Sequence, residues 1–420
     1  MPILSTQDHT APARATAEGN YLPALMVLAL LYFMMGFITC LNDSLVPFFK
    51  TGFNLSYSQS SLVQFYFFLT YALVSIPAGK LVENIGYQRG MVTGFLIAAV
   101  GALLFLPASI FHVYALFLAA LFILATGIVL LQVSANPYIT LLGPAATASA
   151  RLTLIQGVGS VGTTVAPVFG AAFILSSLER AHGSSEAVRL PYIGIALCLL
   201  VIAGVVWRLR LPKAVTRPAG TLVRSAETTA RAGIMSFRNL KFGVVGIFMY
   251  VGAEVSIGTF LTGYISDKVQ APVHVANNYV AFYWGGMLGG RFVGSFLLRR
   301  LQPRMLLTIL SSGAIALIVI SVSSGGYVAV WTMIATGVCN SVLFAIVFSL
   351  SVRGLGEYTT RASGLLSAAI AGGAILSFLE GVLKDHYSWT AAFMVPVGCY
   401  VYLIFFGVNG SREVRGSRQE

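Results

Sequence analysis

Two carboxylates, Glu254 in VGAEVSIG (251–258) and Asp43 in CLNDSLVP (40–47), interrupt long apolar runs in a chain with only 14 acidic residues among 420. A charge at the centre of a bilayer costs about 3 kcal/mol or more, so such an acid must face a cavity, pair with a cation or take up a proton. Withdrawal from water favours the neutral acid, which makes reversible proton loading the chemistry open to both. A structural acid hydrogen-bonded between helices is the alternative. Arg291 is a cation that could neutralise either one, and Asn42 and Thr39 cluster with Asp43. Glu380 lies near the outer end of its span and is read as a gate or interface residue.

Uncharged polar groups accompany the acids. Gln132 and Asn136 in LLQVSANPYITLLGP (130–144) are one turn apart on one helix face, and Pro137 next to them frees a backbone carbonyl. Paired amides offer donors and acceptors to hydroxyls without net charge, as a neutral polyol such as a sugar would require. Thr153 and Gln156 in RLTLIQG extend this set, and Tyr250 and Asn340 are candidates for the same cavity. Phe65, Tyr66, Tyr250, Phe282, Tyr283 and Trp284 could stack on the apolar face of a sugar ring. For each, helix packing is the competing role.

Several classes are excluded. The five histidines are scattered, and Cys40, Cys198, Cys339 and Cys399 sit in apolar stretches without a CxxC, so no metal or disulfide framework is expected. No phosphate-binding GxxxxGK[ST] loop is present, which argues against ATP-driven work. The reading is of a non-enzyme without cofactors.

These residues need elements that hold them inside a bilayer. The chain is 57% hydrophobic and 10% charged, against about 25% charged in soluble domains, so the net charge of +12 is read as topology and not as a nucleic-acid surface. At about 20 apolar residues per crossing, the pattern predicts an all-α membrane protein with twelve transmembrane helices in two pseudo-symmetric six-helix bundles. The spans are 22–48, 58–82, 88–109, 113–143, 152–177, 190–209, 240–266, 277–298, 304–322, 327–351, 362–383 and 388–409. Residues 1–20 read as a disordered tail, 21–209 as the first bundle, 210–239 as a basic cytoplasmic linker, 240–409 as the second bundle and 410–420 as a second tail. With the amino terminus inside, 20 of the 26 Lys and Arg residues face the cytoplasm and five face out, the bias expected of a plasma membrane protein with both termini cytoplasmic. The halves carry faint copies of one another: ATGI at 125–128 and ATGV at 335–338, Arg151 and Arg361, and Gly36 and Gly252 fall on corresponding helices. Parallel repeats of this kind permit rocking about a central site.

GKLVENIGYQRG (79–90) resembles the signature loop of the major facilitator superfamily, with Gly79, Glu83, Gly86 and Arg89 in the motif positions. Such a loop implies a latch that holds one side closed, with Arg151 and Arg361 at the matching helix starts. The second-half loop GSFLLRRLQPR (294–304) keeps the bases and lacks the acid. GFITCLNDSLVPFFK, LLQVSANPYITLLGP, YVGAEVSIGTFL, FYWGGMLGGRFVG and SVRGLGEYTTRASGLL together resemble the fucose permease-like sugar:proton symporters, glucose/galactose or N-acetylglucosamine branch. The resemblance implies proton-coupled import of a neutral hexose across a bacterial inner membrane by a monomer, without nucleic-acid partners. It also implies an acid on span one at or near Asp43, a polar residue on span four and an acid or amide on span seven. Fucose-type members have glutamate where this chain has Gln132 and an amide where it has Glu254, so the coupling acid is expected to have moved to Glu254. Gly159 stands where members often carry asparagine. Expected substrate ligands are Gln132, Asn136, Gln156, Tyr250, Asn340, Asn42, Trp284 and Tyr283. Sodium coupling, a sugar uniporter and a drug or organic-ion exporter are the competing readings.

Overall fold

The computed structural model describes residues 22–53, 62–169, 173, 185–209, 211–212, 234–271 and 273–412. The first tail, most of the second and most of the 210–239 linker lie outside the described residues, as do the side chains of Asn42, Asp43 and Phe65.

Twelve helices occupy the predicted spans: α1 Leu22–Gly52, α2 Leu62–Ile85, α3 Tyr87–Phe111, α4 Tyr114–Leu141, α5 Ala148–Phe169, α6 Arg189–Arg208, α7 Arg238–Val269, α8 Val273–Arg300, α9 Pro303–Ser323, α10 Gly326–Val352, α11 Gly356–His386 and α12 Trp389–Gly410. Among the described residues, nine are long and apolar enough to cross a membrane. Helices α1 and α7 run several residues past their expected outer ends, and α5 starts four residues early, because polar residues at helix ends extend the backbone hydrogen bonding beyond the apolar stretch.

Helices α1–α6 and α7–α12 form the two halves, and the faint sequence repeat has a packing meaning. Helix α1 crosses α5 at Gly36, where a Cβ would strike the Gly159 carbonyl; α7 crosses α11 at Gly252, where a Cβ would strike the Leu376 side chain. Small residues let backbones approach closely in lipid, where apolar burial between helices offers no driving force. The innermost segments are Leu124–Thr140 of α4 and Cys339–Val352 of α10, buried at nearly every position.

Three interruptions lie in the inner helices. Pro137 falls inside α4, α10 breaks after Asn340, and α11 tightens into a 3₁₀ turn at Ala369–Ala371. Irregular backbone at membrane depth persists only where protein or a polar cavity satisfies it.

The halves meet through α2 and α4 against α11, and α5 against α8 and α10. Toward the arginine-rich end they are joined by Tyr87 with Thr360 (2.8 Å), Ser149 with Ser349 (2.5 Å) and Arg361 with Glu83 (2.5 Å). This basic end is closed.

Candidate functional site

Halfway along the interface, Glu254 of α7 and Arg291 of α8 face each other, with Oε1 3.9 Å from Nη2 and side chains 15% and 18% exposed. From the sequence, Arg291 could serve either acid; the fold gives it to Glu254. Its Nε also donates to the Ser341 carbonyl at the break in α10 (3.3 Å), and its Nη1 donates to Ser160 Oγ of α5. One guanidinium therefore spans the two halves at mid-membrane. Trp284, seven residues before Arg291 and so on the same face of α8, is 47% exposed and packs beside Gly258. Phe282 instead joins Tyr279 and Trp331, away from Arg291.

The other half supplies amides. Tyr71 of α2 donates to Gln132 Oε1 (2.7 Å), and Tyr32 of α1 donates to Asn136 Oδ1. Gln156 of α5 is near Tyr32, which itself lies within electrostatic reach of Arg291. Asn136 Nδ2, Gln156 Oε1 and the Thr153 hydroxyl are buried without a protein hydrogen-bond partner. Buried polar atoms are nearly always paired, so unpaired ones near a partly open ion pair mark this as the candidate site for a polar solute. Tyr32, Tyr71 and Ser160 were not anticipated. Ser160 was within reach of helical spacing, being one turn beyond Gln156; the tyrosines sit in apolar runs and gave no local signal.

Asn340, Tyr250 and Tyr283 are placed differently from the sequence expectation. Asn340 Nδ2 donates to the Tyr283 hydroxyl (2.9 Å), and its Oδ1 accepts from Tyr400 (2.7 Å). Its backbone carbonyl accepts from Tyr250 (3.1 Å), while Tyr283 donates to the Glu254 carbonyl (3.2 Å). All four side chains are essentially buried. They form a polar core that fastens α7, α8, α10 and α12 around the break in α10 and presents Glu254 from behind.

At the basic end, Glu83 of α2 pairs with Arg361 at the start of α11, and Gly79 packs on Gly364, where a Cβ would stand 3.2 Å from the opposing Cα. Gly86, with φ of 84°, makes the turn between α2 and α3. Arg89 is exposed and pairs with nothing among the described residues. Arg151, the counterpart of Arg361, caps the end of α4 through the carbonyls of Thr140 and Pro144 (3.1 and 2.8 Å). Carbonyls at a helix terminus lack intrahelical donors, and a guanidinium satisfies them.

Pro137 leaves the Val133 carbonyl without its helical donor, and Ser363 of α11 donates to it at 3.0 Å. The carbonyl freed by proline thus serves the closed interface. Ser363→Ala and Arg361→Gln should each shift the closed-to-open ratio up to about fivefold, since a neutral hydrogen bond is worth about 1 kcal/mol and a part-exposed ion pair no more. Thiol labelling of Ser349→Cys, in a chain with its own four cysteines replaced, reads this shift as faster modification.

The model for the Major Facilitator Superfamily matches residues 28–378. The chain is 46% identical to the glucose/galactose transporter of Brucella abortus (strain 9-941), over 95% of this chain and 96% of that one. It is 38% identical to the putative glucose/galactose transporter of Helicobacter pylori (strain J99), over 94% and 98%. Among solved structures, FucP in the outward conformation superimposes with a TM-score of 0.82 at 29% identity, over 92% of this chain and 98% of that one. With the family model matched over most of its length and these relatives over nearly all of it, the chain belongs to the Major Facilitator Superfamily, in its fucose permease-like group and the glucose/galactose branch of it.

Proposed function

We propose that this protein is a secondary active importer of a neutral hexose of the glucose/galactose class, driven by protons through alternating access. The observation that carries the reading is the meeting of the unpartnered amide atoms Asn136 Nδ2 of α4 and Gln156 Oε1 of α5 with the Glu254–Arg291 pair at the junction of the halves. The names of the Brucella and Helicobacter relatives supply the substrate class, and that of the E. coli fucose:proton symporter supplies the ion. The positive-inside bias puts the basic end and both termini in the cytoplasm of a bacterial inner membrane. Each chain carries both halves, so a monomer suffices.

In the conformation described, closure at the basic end leaves the centre to be reached from outside. Sugar hydroxyls bind Gln132, Asn136 and Gln156, with Trp284 offering a ring face. Glu254 holds Arg291 electrostatically until it takes a proton. Neutralising the acid leaves Arg291 with uncharged partners only, Ser160 on one half and the Ser341 carbonyl on the other, and weakens the strut that fixes the halves. The loaded carrier then rocks, the basic-end contacts part, and sugar and proton leave inside. Asp43, on α1, is the second candidate for proton loading.

Labelled glucose and galactose uptake into proteoliposomes tests this. An imposed proton gradient should drive about tenfold accumulation per pH unit at one proton per sugar, because one unit corresponds to about 1.4 kcal/mol. A sodium gradient alone should drive none. Accumulation with sodium only, or equilibration without accumulation, overturns the proton reading, and preferential competition by N-acetylglucosamine moves the substrate to that sugar.

A further inference from the structure

Glu380 was expected near an outer rim as a gate or interface residue. It is 0% exposed, inside the second half, and neither carboxylate oxygen has a protein hydrogen-bond partner within hydrogen-bonding geometry. It lies on the outer segment of α11, two turns beyond the 3₁₀ turn at Ala369–Ala371 and the Gly372–Gly373 pair.

The groups around it offer no compensating charge. From α7, Ser256 faces it, with its hydroxyl 3.4 Å from Ser377 Oγ; from α8 comes Tyr283 and from α12 Cys399. Phe68 of α2 meets the helix at Gly373. On its own helix, Lys384 turns over the Trp389 ring (4.6 Å), and Asp385 and His386 are exposed. Arg291, the cation of this interior, reaches Glu254. A buried carboxylate with no cation and at most one serine hydroxyl to answer it cannot remain ionised at reasonable cost. A hard metal cation would need a shell of several oxygens, and the two serine hydroxyls do not provide one. A proton needs only the carboxyl group.

We propose that Glu380 is a second proton-binding site, which holds its proton while the outer segment of α11 is packed as seen here and exchanges it with the outer face when that segment swings on its 3₁₀ hinge. The site is distinct from the coupling acid. Glu254 lies at the junction of the halves with a cation, whereas Glu380 lies behind the Asn340–Tyr283 core, on the outer side of the hinge. A proton bound there licenses the packed state and is not carried across, so it sets how fast the cycle turns at a given external pH. The transport part of this inference rests on the proton-coupled reading above.

Two measurements decide it. In infrared difference spectra of reconstituted protein, a neutral carboxylic-acid carbonyl band should be present in the wild type, absent in Glu380→Gln, shifted in Glu380→Asp and retained in Glu254→Gln. Sugar counterflow by Glu254→Gln should still fall as external pH rises, by up to about tenfold per unit where one proton limits the cycle, and Glu254→Gln/Glu380→Gln should lose that fall. A band unchanged by either Glu380 substitution overturns the proposal, as does a double variant with the same pH dependence as the single one. If Glu380→Gln does not fold, the band shift in Glu380→Asp decides alone. Wild-type protein that never accumulates sugar on a proton gradient defeats the coupling reading and leaves the infrared test of Glu380 standing.

Discussion

Glu254→Gln should reduce sugar accumulation on an imposed proton gradient from about tenfold per pH unit to none, while counterflow exchange continues. Glutamine keeps the shape and hydrogen-bonding reach of the acid and removes its titration, so the carrier resembles one that is permanently proton-loaded. Arg291→Met should give the same phenotype. Removing the cation from a largely buried pair costs about 3–5 kcal/mol if the remaining charge persists, so Glu254 escapes the cost by keeping a proton. Because both substitutions act on one event, Glu254→Gln/Arg291→Met should be no worse than either single variant. Proton-driven accumulation intact in Glu254→Gln would move coupling elsewhere, with Asp43 the next acid to replace.

Gln132→Leu should weaken sugar binding by about ten- to a hundredfold, with the coupling ratio of the residual transport unchanged. The substitution removes an amide from the sugar and strands the Tyr71 hydroxyl, which now donates to Gln132 Oε1 at 2.7 Å. Sites built to pair a substrate hydroxyl lose heavily when the partner is deleted, at about 1–3 kcal/mol for a buried polar group left unmatched. Tyr71→Phe separates the two effects. It frees the amide without deleting it and should cost less than Gln132→Leu. Equilibrium binding of labelled sugar to purified protein reads both, and equal affinities in wild type and Gln132→Leu would remove α4 from the site.

The same geometry shows how far local sequence carries. Twelve helices were legible because apolar length is a property of each segment alone. The amides of α4 could be assigned one face because 132 and 136 differ by one turn. Partners were not legible. Nothing near Glu254 in the chain points to Arg291, and nothing near Asn340 reveals that Tyr283 and Tyr400 would take both ends of its amide. Nor does the repeat reveal that Arg361 reaches Glu83 across the interface while Arg151 donates to the carbonyls that end α4.

The sequence by itself determined that the chain is a helical membrane protein in two related halves with acids and amides buried among apolar residues. Periodicity, length and charge asymmetry are additive along the chain, and need no knowledge of what lies opposite. Only the tertiary structure decided which acid meets the cation, which asparagine faces the central interface and which is used up in packing, and which carboxyl is left alone. Those outcomes depend on pairwise approach between helices far apart in sequence, where a difference of an ångström or one helical turn separates an ion pair from an isolated charge.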